Sequence, residues 1–97
     1  MPTQRENEQH EAVSELLMAL RQLMTAPDVF ERLGLRDFQE FFSHVDRWAT
    51  DKVETKARAL AARVTRSLER GEHPYCKERL RDVHRAAEVV VGLFAES

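Results

Sequence analysis

Hydrophobic residues return at three- and four-residue intervals along most of this chain, the spacing of a helix face rather than of a strand. Val13, Leu16, Leu17, Leu20, Leu23 and Met24 fall on one side of a wheel and predict an amphipathic helix over roughly residues 6–25. Residues 1–5 are expected to form a flexible tail. Glu8, Glu11 and Glu15 make an acidic ridge nearly opposite the apolar face. In "TAPD" Thr25 can cap a second helix, Pro27 suits its first turn and Asp28 completes a capping box. A short helix near residues 27–33, ending at Gly34, follows.

From Leu35 to Arg70 no glycine or proline interrupts the pattern. A continuous helix of that length would be a rod of roughly 54 Å. Its apolar face moves. Phe38, Phe41, Phe42, Val45, Trp48 and Ala49 share one side, whereas Val53, Ala57, Leu60, Ala61, Val64 and Leu68 centre about 100° further round. Such a helix either bends midway or packs against different partners at its two ends. The second alternative is preferred: the first helix on one half, the last helix on the other.

The segment "VTRSLERGEHPYCKERL" contains the glycine–proline break. Gly71 suits the end of the preceding helix and Pro74 the start of the next. Cys76, Leu80, Val83, Ala87, Val90 and Phe94 then alternate steps of four and three, a heptad seam over residues 74–95. The expected architecture is an all-α single domain over residues 1–97: an antiparallel three-helix bundle built on one long central helix, with a short extra helix near 27–33.

Composition narrows the picture. Apolar residues make up 42% and charged residues 33%, which suits a thin exposed bundle; three Gly and three Pro are too few for a many-stranded sheet. The net charge of −2 conceals a polarity. Residues 1–51 carry five Lys/Arg against ten Asp/Glu, and residues 52–97 carry ten against seven, so the chain is acidic first and basic second. A single cysteine excludes an internal disulfide framework and points to a reducing compartment. The polar start "MPTQRENEQHE" lacks the apolar stretch of a secretory signal, and no apolar run reaches the ~20 residues of a membrane span. A cytoplasmic protein without membrane partners is expected.

Catalytic chemistry finds little purchase. His73 and Cys76 have a metal-like spacing, but a closed zinc site needs four ligands and there is no second cysteine. Cys76 reads as a buried hydrophobe on the seam and His73 as an exposed turn residue. Glu-x-x-His pairs of a diiron bundle are missing; Asp37, Glu40, His44 and Asp51 read as a solvated face opposite the phenylalanines. No serine sits on a Gly-flanked elbow and no Gly-rich phosphate loop is present. No enzymatic activity, metal or cofactor is expected.

Two surfaces stand out. Lys52, Lys56, Arg63, Arg66 and Arg70 line one side of the central helix, and Lys77, Arg81 and Arg85 widen the stripe from the last helix. They could bind phosphates or an acidic partner, including the Glu8–Glu11–Glu15 ridge of another copy. No aromatic residue is interleaved with them for base stacking, so nucleic acid is the weaker partner. The C-terminal run "AEVVVGLFAE" is apolar on too many sides, leaving Ala86, Val89 and Leu93 off the seam, with Gly92 permitting close helix approach. Phe41 and Trp48 lie at the edges of the central helix. Together these residues predict a homo-oligomer interface. The function expected is a non-catalytic interaction, adaptor or regulatory protein that self-associates as a homodimer through apolar helix faces. The alternatives are a nucleic-acid-binding bundle using the basic stripe, and a small accessory factor of a bacterium or phage that binds a host protein.

Overall fold

Thr3 opens the first helix: its Oγ1 accepts from the Glu6 N–H at 3.1 Å and donates to the Glu6 carboxylate at 3.3 Å, leaving one fewer unsatisfied amide in the first turn. The computed structural model describes residues 3–95. Within that range α1 runs Gln4–Leu23, so Gln4 and Arg5 are helical rather than tail; the remainder of the expected tail, residues 1 and 2, lies outside the described residues. Ala12, Val13, Leu16, Leu20 and Leu23 are its buried face, while Met24 ends up exposed.

Thr25 does not cap the second helix. Its hydroxyl donates back to the Gln22 carbonyl at 2.7 Å, closing α1 instead, and α2 (Pro27–Arg32) starts from Ala26 without a side-chain cap. Val29 and Phe30 anchor this short helix in the core. Gly34 then reverses the chain at φ +65°, a left-handed conformation that favours glycine.

The expected rod is two helices. Helix α3 spans Leu35–Ser43 and α4 spans Thr50–Arg70, separated by a 3-10 turn at Val45–Arg47 and two extended residues, Trp48 and Ala49. His44, Val45, Asp46 and Trp48 all have modest helix propensity, so no strong former bridges the point where the apolar face swings. Breaking the helix lets each half turn its own face inward: Leu35, Phe38 and Phe42 from α3, and Val53, Ala57, Leu60, Ala61 and Val64 from α4.

Gly71, at φ +62°, ends α4. Its N–H donates to Leu68 O (3.2 Å) and the Glu72 N–H to Ser67 O (3.4 Å), the paired bonds of a Schellman turn. A 3-10 turn at Pro74–Cys76 leads into α5 (Lys77–Ala95). All six seam residues from Cys76 to Phe94 are buried, joined by Val91.

The centre of the molecule is α5, not the 35–70 segment. Both α1 and α4 pack extensively on α5, while α3 makes smaller contacts with each of those outer helices. Arg5 and Gln9 reach the Leu93 carbonyl at 3.2 and 3.1 Å, and Arg79 reaches Thr25 at 2.8 Å. These contacts at opposite ends run α1 antiparallel to α5. A helix with neighbours on two sides needs two apolar flanks, and this accounts for most of the surplus in "AEVVVGLFAE". The fold is all-α, with no strand among the described residues, and measures 42 × 21 × 18 Å.

Candidate functional site

The break between α3 and α4 creates an open cleft of about 610 Å³. Because Trp48 is extended rather than helical, its ring folds back over Phe41, with centroids 5.2 Å apart and planes 19° from parallel. Phe41 in turn meets the buried Phe42 edge-on at 5.2 Å, which ties this surface stack to the core. Phe41 is half-buried, and Trp48 is 42% exposed.

Cations from α4 cover the aromatic floor. Lys52 Nζ lies 5.4 Å from the Trp48 centroid, and Lys56 Nζ lies 5.5 Å from Phe41 and 5.9 Å from Phe38. One turn and more further along, Arg63 stacks on Phe38 at 5.1 Å and donates to the Leu33 carbonyl at 3.1 Å. These contacts place the first half of the basic stripe on the α3–α4 junction, where each exposed cation–π pair contributes about 0.5–1 kcal/mol. Asp37 and Glu40 stand on the opposite wall, with His44, Arg47 and Asp51 at the corner. The face read as solvated therefore borders the same cleft as Phe41. Helical-wheel angles calculated across residues 35–70 lose their meaning once the helix stops at Ser43.

Two features that looked separate in the sequence thus meet: Phe41 and Trp48, assigned to an interface, and Lys52 and Lys56, assigned to a basic stripe. Arg47 is an additional wall residue that periodicity could not supply, since it lies in the 3-10 turn. The other stripe residues are dispersed. Arg66 and Arg70 line a second cleft beside α2; Lys77 is exposed; Arg81 pairs with Glu78 at 3.2 Å and Arg85 with Asp82 at 3.6 Å. Glu8, Glu11 and Glu15 are all exposed on α1.

On the C-terminal flank, Ala86 and Leu93 are half-buried, Gly92 is open, and Val89 is 47% exposed. The seam and Val91 are already covered within the chain.

His73 corrects the sequence reading: it is only 6% exposed. The Schellman turn directs the chain back across the end of α4, and the imidazole packs inward, edge-on to Tyr75 at 6.4 Å. Cys76 is buried on the seam. Among the described residues, Ser67 Oγ and His73 Nε2 are buried without a hydrogen-bond partner, and no group of three His, Cys, Asp or Glu could hold a metal ion. No helix among them is long and apolar enough to cross a membrane. No protein-family model, curated protein or solved structure matches this chain.

Proposed function

We propose that this is a non-catalytic helical interaction protein that self-associates, the aromatic cleft of one copy receiving α1 of another. The observation that carries the reading is the half-exposed Phe41–Trp48 stack at the floor of the 610 Å³ cleft. Aromatic side chains in concave, partly desolvated positions dominate interface energetics, with tryptophan prominent among them. Removing one large apolar side chain from water is worth about 1.5–3 kcal/mol.

The exposed stripe of α1 has complementary chemistry. Glu8, Glu11 and Glu15 continue at helical spacing into Met18, which is 63% exposed. Met18 supplies an adaptable apolar contact for the aromatic floor, and Glu11 and Glu15 supply partners for Lys52 and Lys56. Exposed ion pairs contribute only ~0–1 kcal/mol each, so they set orientation while the apolar contact supplies affinity. An adaptor or regulatory role in the cytoplasm belongs to the same proposal: the unpaired, buried thiol fits a reducing compartment.

The C-terminal flank is a poorer interface because α1 and α4 already cover most of α5, leaving Val89 as its main exposed apolar residue. Nucleic acid is also less favoured. Lys52, Lys56 and Arg63 are engaged with aromatic rings of their own chain, which breaks the even run of cations a phosphate backbone would follow.

Light scattering at low and high salt tests the proposal. The wild-type mass should exceed that of the 11.3 kDa chain, with somewhat weaker association at high salt. Trp48→Ala should move the mass to monomer with unchanged helicity, and Val89→Asp should leave it oligomeric. A wild-type monomer at every concentration refutes self-association. Dissociation by Val89→Asp but not Trp48→Ala transfers the interface to the C-terminal flank.

A further inference from the structure

Where the end of α2 meets α4, a cleft of about 310 Å³ gathers Arg32 from α2 with Arg63, Arg66 and Arg70 from α4. The three α4 arginines recur at three and four residues, so they share a face, and Arg32, in the last turn of α2, lines the same cleft. We infer that this cleft is a binding site for a phosphate-type oxyanion carried by a small molecule. The proposal is independent of the aromatic cleft and its self-association.

Charge favours an anion. The opposing carboxylates are Glu31 and Glu72. Glu31 is already engaged by Arg36, which lies outside the cleft lining, and Glu72 pairs with Arg70 at 3.5 Å. The C-terminal ends of α2 and α4 contribute roughly half a negative charge each, less than the four guanidinium groups supply. Among the described residues Arg32 and Arg66 form no ion pair. Their planar donor forks suit the oxygens of a phosphate.

A second observation points to a ligand. Ser67, only 3% exposed, lies between this cleft and a smaller one bordered by His73 and Pro74, and its Oγ is buried with no hydrogen-bond partner among the described residues. A buried helical serine can satisfy its hydroxyl on the carbonyl of the preceding turn. Ser43 does so here, donating to Gln39 O at 2.7 Å; Ser67 does not. An oxyanion seated between Arg32 and Arg66 would give that hydroxyl an acceptor. Arg63 is the positioning residue of the wall. It is held by Phe38 and the Leu33 carbonyl, and a Cβ at Gly34 would come within 2.9 Å of its Nη1.

The cleft is separated from Lys52 and Lys56 by the length of α4 between residues 56 and 63, and its volume suits one or two phosphate groups rather than a strand. Titration of the full chain with inorganic pyrophosphate, followed by amide chemical shifts at constant ionic strength, is the test. Saturable shifts should centre on Arg32, Gly34, Ser67 and Arg70, with chloride at matched ionic strength producing none. Arg66→Ala should weaken binding roughly tenfold or more, the loss of one charge-assisted contact. Ser67→Ala should weaken it severalfold, while Lys77→Ala leaves it intact. Unsaturable shifts, or shifts spread along all of α4, overturn the site. So does Arg66-dependent binding seen with a single-stranded oligonucleotide but not with pyrophosphate, which would assign these arginines to nucleic acid.

Discussion

Ser67 shows how one residue separates folding from function. Burying a hydroxyl without a partner costs about 1–3 kcal/mol, so the native chain is less stable for having it. Ser67→Ala removes the orphan atom and favours the helix, and we expect it to raise stability by about 1 kcal/mol, read as a higher urea midpoint with an unchanged slope. A serine kept only for packing would show the stability change alone; one kept for an anion also loses pyrophosphate affinity. His73 presents the related problem of a buried ring nitrogen, and the sequence could not disclose either residue. His73 is a polar letter inside the glycine–proline break, a context that ordinarily means exposure, and Ser67 is a small polar letter in the last turns of α4. The Schellman turn at Gly71 is what swings His73 inward, and its geometry depends on the tertiary position of α5 as well as on the local residues.

At the scale of elements, the start of α4 is a weak point. Ala49 has extended dihedrals, φ −67° and ψ 151°, suited to a helix cap, but no side chain to accept from the first turn. Ala49→Ser should supply that acceptor and raise stability by about 0.5–2 kcal/mol, measured by chemical denaturation. The same junction marks the boundary of what periodicity could reveal. Buried Val13, Leu16, Leu20 and Leu23 and the whole seam from Cys76 to Phe94 were legible because each set repeats on one face of an unbroken helix. Gly34 and Gly71 were legible because both adopt positive φ at chain reversals. The 44–49 break was not, since it contains no glycine or proline; only the 100° swing of the apolar face announced it. That swing is compatible with a break or with two packing partners. Half of the cleft could be read as well: Phe41, Trp48, Lys52 and Lys56 are visible as a suspicious set, but their meeting depends on Trp48 leaving the helix.

For the whole molecule, the consequence of α5 at the centre is that both outer helices remain free on their far sides. The acidic ridge with Met18 belongs to α1 and the aromatic cleft to the α3–α4 junction, so the proposed contact joins two different surfaces. A two-fold dimer made this way contains the contact twice and closes on itself, whereas a single-direction arrangement would grow into chains. Closure predicts a mass that plateaus at two copies as concentration rises. It also predicts complementation. A Trp48→Ala chain has a damaged cleft and a sound α1; a Met18→Lys chain has the reverse. Each alone should be monomeric in light scattering, but an equimolar mixture can form one sound contact, with the Met18→Lys cleft holding the α1 of Trp48→Ala. Recovery of dimer mass at reduced affinity is expected, since one of the two contacts is lost. If instead the interface paired Trp48 with its own equivalent across the two-fold axis, Met18→Lys alone would remain dimeric and adding Trp48→Ala would create no further dimer. Light scattering of each variant alone and of the mixture therefore distinguishes a cleft that receives α1 from two clefts that merely face one another.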